Sequence, residues 1–301
     1  MQMTSKPFLR PLPIIGVSSL LIATTLSTTT ATTRPFTTMS TTQAWPIKHY
    51  TPRHQSWPYN SSDFTRQDSS SDSSFYSAPR FVTHIDDAAI ATLRDYYDTT
   101  LPRSGRILDF CSSWVSHYPP AIEEAAKRGD LKVTGLGMNA AELERNGVLN
   151  SGRVLKDLNI DSDMASTLLE NNTIGSEDDE KLDASTNVVS TDYLAQPVKV
   201  LTSLREATKT GGSVHLTISN RCFPTKDISR WLRVEEEEER LEMVGDFLHF
   251  AGWKKIEIVE LSNGKAGAGA GVQQEGGLQG LMSFMGMNHR DPLWIVRAVK
   301  G

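Results

Sequence analysis

The chain is 301 residues long with a formal net charge of −5, so it lacks the basic excess expected of a general nucleic-acid binder. Its two cysteines, Cys111 and Cys222, give no disulfide framework and no metal-ligand cluster of known spacing. The length admits one large or two small domains, and a first stretch of 74 residues rich in Thr, Ser and Pro leaves about 225 for a single core.

No Asp or Glu precedes Asp63, whereas Lys6, Arg10, Arg34, Lys48 and Arg53 do. The apolar run at 14–26, about 13 residues, is too short to span a bilayer. It fits the core of a signal peptide, and the acid-free Ser/Thr-rich segment behind it fits a transit peptide. The expectation is an organellar leader, plastid before mitochondrion, with no stable membrane span in the mature protein. An untargeted disordered tail on a cytoplasmic protein is the other reading, and Met39 is an alternative start. Residues 60–74 are too polar to bury surface and read as a linker, so ordered structure is expected from Phe75 onward.

Thr83 with Asp86 suggests an N-cap, and Ile85, Ala89, Leu93, Tyr96 and Tyr97 share one helical face. A strand at 106–110 ends in a loop of small polar residues. A helix at 120–128 opens on Pro-Pro and closes at Gly129. A strand at 131–136, a helix at 140–146 and a short strand at 154–156 follow. Residues 161–181 are polar and acidic and read as a loop. Next come a strand at 183–189 and a helix with buried stripe Val200, Leu201, Leu204 and Ala207, ended by Gly211-Gly212. A strand at 213–218 precedes a polar loop and a long helical region to His249, whose run Glu235–Glu239 reads as a solvated face. Strands at 254–261 and 293–299 form an antiparallel pair. Between them lies a Gly/Ala-rich insertion at 264–286, in which Leu281, Met282, Phe284 and Met285 would form an apolar flap. The alternation of strand and helix implies an α/β protein with one doubly wound, mostly parallel sheet. No G-x-G-x-x-G follows the first core strand, which argues against a nicotinamide-dependent oxidoreductase.

The segments Leu108-Asp-Phe-Cys-Ser-Ser-Trp-Val-Ser-His-Tyr118, Gly135-Leu-Gly-Met-Asn139, Asn187-Val-Val-Ser190 with Asp192-Tyr-Leu194, and Ser219-Asn-Arg-Cys-Phe223 resemble a methyltransferase type 11-like family. Its members are S-adenosylmethionine (SAM)-dependent methyltransferase-like proteins of plants, algae and fungi. The resemblance covers roughly residues 75–300. It implies a class I methyltransferase fold of seven strands, one antiparallel, with SAM as cofactor and a small-molecule or lipid-like methyl acceptor. A non-catalytic binding or assembly protein on the same fold is the competing reading. In that sheet order the two cysteines lie too far apart to pair, and buried free thiols are expected.

In such a sheet the ligand collects at the carboxyl ends of the strands. The resemblance then points to Asp109, Cys111, Ser112, Ser113, Gly137, Met138, Asn139, Asp157, Leu158 and Asn187 as cofactor-binding candidates, with no metal site. Asp109 would face the ligand or accept local backbone bonds. Cys111, Ser112 and Ser113 stand where the usual loop has glycines. Gly137-Met138-Asn139 stands where typical methyltransferases carry a ribose-binding acid, for which Asn139 or Glu142 would substitute. Asp157 would accept from the adenine amino group beside Leu158, or be a solvent-facing acid. If the acceptor must lose a proton, His117, Tyr193 and His215 are the nominal bases. Each has a purely structural alternative: a satisfied loop histidine, a core ring, and a strand residue.

Overall fold

The computed structural model describes residues 45–264 and 290–301. One sheet contains β1 (Ile47–His49), β2 (Gly105–Phe110), β3 (Leu131–Gly137), β4 (Gly152–Leu155), β5 (Leu182–Val188), β6 (Thr208–Ile218), β7 (Lys254–Ser262) and β8 (Leu293–Val299). Their order is β1-β7-β8-β6-β5-β2-β3-β4. The pairs from β4 through β6 are parallel, β8 is antiparallel to both β6 and β7, and β1 is antiparallel to β7. Without β1, this order and its reversed last strand are those of the class I methyltransferase fold. The chain leaves β2 in opposite directions along the sheet toward β3 and, later, β5. The switch point therefore lies at the carboxyl ends of β2 and β5, where an open α/β sheet leaves a crevice.

Helices cover both faces, as the continuous apolar reading of the parallel strands requires. They are α1 (Asp72–Phe75), α2 (Asp87–Thr100), α3 (Pro120–Arg128), α4 (Ala140–Arg145), α5 (Met164–Glu170), α6 (Pro197–Ala207), α7 (Ser229–Arg233) and α8 (Glu237–Phe250). Ile107 packs into the layer containing Tyr97, Ile122 and Val133. Its neighbour Leu108, with Phe110, faces Leu201, Leu204 and Phe247 on the other side. Period-two alternation in β2 thus feeds two separate apolar layers. α3 starts on Pro120 and stops at Gly129, whose φ of 82° needs a residue without a side chain. His215, central in β6, is held between Tyr96 and Ser213, and burial pushes its pKa down to about 3.

Several expectations change. The cap of α2 is Asp86 rather than Thr83: the Asp86 carboxylate accepts from the Ala89 N–H at 2.7 Å, and its other oxygen accepts from Asp291 N–H at 2.6 Å. The acidic segment 161–181 contains α5, because Asp163 caps it and Met164 and Leu168 are fully buried. Gly211 and Gly212 do not end a helix. They lie inside β6 as a bulge, where Leu182 pairs with Thr208 but Ala184 pairs with Ser213.

The largest difference concerns the supposed leader and linker, of which residues 45–74 pack on the domain and add an eighth strand, β1. Tyr50 and Tyr59 donate their hydroxyls to the fully buried Asp246 of α8 at 2.5 and 2.6 Å, and Arg53 donates to it at 2.6 Å. Trp57 stacks on Phe64, and both rings lie about 6 Å from Phe247. Composition hid this because the segment's few aromatic residues, not any periodic stripe, do the burying. The run Glu235–Glu239 is also partly neutralised, by Lys48 on Glu238 and Arg230 on Glu239. Residues 1–44, most of the expected targeting leader, and residues 281–285, the expected apolar flap, lie outside the described residues.

Candidate functional site

A cavity of about 360 Å³ opens at the carboxyl ends of β2, β3, β4 and β5. That volume lies in the range of small-molecule and cofactor sites. Asp109, Cys111, Ser112, Ser113, Gly137, Met138, Asp157 and Leu158 line it, as do His117 and Tyr193. Asn139 and Asn187 do not. Asn139 is the N-cap of α4 and donates to the Tyr76 and Ser77 carbonyls. Asn187 is fully buried; it donates to the Phe110 carbonyl at 3.0 Å and accepts from the Thr191 hydroxyl. Both hold backbone in place around the cavity.

Asp109 lines the cavity and is engaged by side-chain hydroxyls rather than by backbone N–H groups. Its carboxylate accepts from the hydroxyls of Ser112 at 2.6 Å and Ser116 at 2.7 Å, so it pins the loop after β2. Burial raises its pKa to about 6 against the pull of those hydroxyls. The loop then folds across the end of β3: Ser112 N–H donates to the Leu136 carbonyl at 2.8 Å. A Cβ on Gly137 would sit 2.2 Å from the Ser112 carbonyl oxygen. The strand end that usually carries an acid is therefore occupied by backbone, and only glycine fits. Glu142 reaches the cavity from α4 instead, but accepts from Ser113 at 2.7 Å and from Arg80 N–H at 2.6 Å.

Cys111, His117 and Val189 all have positive φ (54°, 54° and 42°) and all line the cavity. Such backbone is uncommon for any residue with a side chain and a genuine outlier for a β-branched one. It costs on the order of 1–3 kcal/mol per residue and clusters at functional sites. Burial pushes the Cys111 thiol up to about 12, so it is not a nucleophile at neutral pH. Burial, helped by the charge of Arg94, pushes His117 down to about 4. Its ring makes no hydrogen bond among the described residues, so a neutral imidazole faces the cavity. Burial raises the Tyr193 phenol, whose oxygen accepts from Phe223 N–H at 2.8 Å. Tyr193 keeps its proton and serves as wall rather than base.

At the end of β4, one Asp157 oxygen accepts from Asn159 N–H at 2.9 Å. The other accepts nothing among the described residues, and Asp157 lines the cavity together with Leu136, Met138 and Leu158.

Sequence reading missed the roof, which is made by Asp72 of the supposed linker and the segment that follows it to Ile85. Tyr76, Arg80 and His84 line the cavity from above, with Phe223 opposite. The Arg80 guanidinium stacks 4.5 Å from the Phe75 ring, and its buried Nη1 has no hydrogen-bond partner among the described residues. The segment is clamped by fully buried Lys226, which contacts Asp68 and Asp72 at 3.2 Å, and by a bidentate Arg66–Asp72 pair. The cluster Phe75-Tyr76 with Arg80-Phe81, just past the supposed linker, was the available signal that this stretch packs on the domain.

No family model and no curated protein sequence matches the chain. Solved structures of similar fold include phosphoethanolamine N-methyltransferase 2 from Haemonchus contortus, bound to phosphomonomethylethanolamine and S-adenosylhomocysteine. It is 13% identical with a TM-score of 0.40, covering 70% of this chain and 52% of that one, so the chain spans about half the length of that enzyme. A SAM-dependent methyltransferase from Archaeoglobus fulgidus is 14% identical with a TM-score of 0.44, covering 71% and 94%. The [4+2]-cyclase SpnF is 14% identical with a TM-score of 0.42, covering 69% and 80%. These likenesses concern the fold, and a fold does not fix a reaction.

Proposed function

We propose that the cavity binds SAM and that the protein transfers its methyl group to a small-molecule or lipid-like acceptor. The observation that carries this is Asp157, one oxygen of which no described residue engages, lining the cavity with the apolar Leu136, Met138 and Leu158 inside a crevice at the switch point of a class I methyltransferase sheet. An amino group on a flat heterocycle fits that pairing of acceptor and apolar lining. The Arg80 Nη1, without a hydrogen-bond partner among the described residues, offers a cation for a carboxylate, such as that of the methionine part. Small side chains at 111–113 let the chain pass close to a ligand.

SAM, when bound, supplies an already activated methyl group. The residues' task is then alignment and exclusion of water, which can lower a barrier greatly without a strong catalytic group. The roof 72–85 and the Tyr193–Phe223 wall close the cleft. His117, neutral at pH 7, is placed to accept a proton from an acceptor that must lose one.

Asp157→Ala is expected to weaken S-adenosylhomocysteine binding by about 1–3 kcal/mol, roughly fivefold to 150-fold, with the unfolding midpoint unchanged. Calorimetric titration of the full chain reads this. An unchanged affinity would show that Asp157 is only a turn residue.

A further inference from the structure

Beside the cavity lies a second polar cluster that the proposed function leaves unused. Asp192, in the 3-10 turn after β5, and Cys222 and Asp227, in the loop after β6, bring one ligand atom each within 4.8 Å of one another. Asp227 is fully buried and Asp192 is 4% exposed. Neither oxygen of the Asp227 carboxylate receives a hydrogen bond from any described residue. The groups in contact with it, Asp192 and Cys222, are themselves acids and donate only while protonated. Arg240 acts on both carboxylates across space, but directs its N–H groups to the Trp231 and Val234 carbonyls.

Two buried carboxyl groups packed against a half-buried thiol must either stay neutral or share a cation. We propose that Asp192, Cys222 and Asp227 are protein ligands of a divalent cation of the zinc class. The donor set makes the choice. A thiolate disfavours magnesium and calcium, which take oxygen ligands. Zinc accepts mixed sulfur and carboxylate donors at about 2.3 and 2.0–2.2 Å, so its tetrahedral ligand atoms stand roughly 3.4–3.6 Å apart. That spacing falls within the spread of this cluster. Three protein ligands leave a fourth position, which a water or a substrate oxygen would fill.

Ligating carboxylates and thiolates are deprotonated, so uptake of the cation would release protons and tighten with rising pH. The position also has a consequence for the neighbouring cleft. Cys222 lines the cavity, between the lining residues Arg221 and Phe223, and Lys226 of the same loop clamps the roof. A cation here would fix that wall. The ligands are spread over 192, 222 and 227, which is why no metal motif is visible in the sequence.

The test uses full-length protein stripped with a chelator and titrated with Co²⁺. A near-ultraviolet thiolate-to-cobalt charge-transfer band is expected, bleached by one equivalent of Zn²⁺. Cys222→Ser should abolish the band, whereas Cys111→Ser should retain it. Asp227→Asn should weaken Zn²⁺ binding by more than the roughly 10–100-fold loss seen for residues that only orient a ligand. Because Asp227 is fully buried, Asp192→Asn is the second ligand variant, and both are checked for folding by their thermal unfolding without metal. Absence of the band, or its survival in Cys222→Ser, overturns the proposal. So does a folded Asp227→Asn or Asp192→Asn that binds Zn²⁺ as tightly as the parent, which would identify a proton-sharing carboxyl pair instead.

Discussion

Replacing Asp246 with alanine is expected to lower stability by about 3 kcal/mol, read as a shift of the denaturant midpoint at constant slope. The carboxylate is fully buried yet satisfied from three sides by Tyr50, Arg53 and Tyr59, all from the N-terminal segment. Removing it leaves two phenols without an acceptor and cuts the main polar tie between that segment and α8. The effect stays near the low end for a broken buried pair, because Arg53 is 31% exposed and keeps Glu242 at 2.9 Å. Limited proteolysis should then cut between residues 50 and 65, where the parent resists. An unchanged midpoint would mean that the aromatic cluster of Trp57, Phe64 and Phe247 holds the segment without the ion pair.

Gly137→Ala should be at least as damaging, at about 3 kcal/mol or more, the upper end for overpacking. The added methyl carbon meets a backbone carbonyl at 2.2 Å, and backbone cannot rotate away as a side-chain tip can. The Ser112 N–H to Leu136 bond and the Asp109 clamp on Ser112 and Ser116 hold that carbonyl where it is. Gly137→Asp, which would install the acid usual at this strand end, is expected to lose stability similarly and to lose S-adenosylhomocysteine binding. A folded Asp variant that binds more tightly would instead show that the loop can open and that the site is merely missing its acid.

These two residues also show what the sequence could and could not tell. The strands around the cleft were legible because apolar runs such as Ile107 to Phe110 and Leu131 to Leu136, punctuated by Pro120 and Gly129, carry their own start and stop signals. Asp157 and Leu158 were legible as a strand-end pair. The crowding at Gly137 was not, since it depends on where a loop 25 residues earlier crosses the strand end. The roof was missed for a related reason. Residues 60–74 look too polar to fold, but Lys226 and Asn159 supply partners for Asp72 from far along the chain. Residues 161–181 concealed α5 because its buried face is only Met164 and Leu168, too short a stripe to show periodicity. Asn139 and Asn187 have the chemistry of ligand residues, and only three-dimensional partners reveal that they hold backbone instead.

Crystals of the full chain grown with S-adenosylhomocysteine test the central claim most directly. The account predicts the adenine against Leu136, Met138 and Leu158 with its amino group within about 3 Å of Asp157, and the carboxylate toward Arg80. A cavity that stays without ligand at millimolar concentration, or a ligand bound elsewhere on the chain, would contradict it.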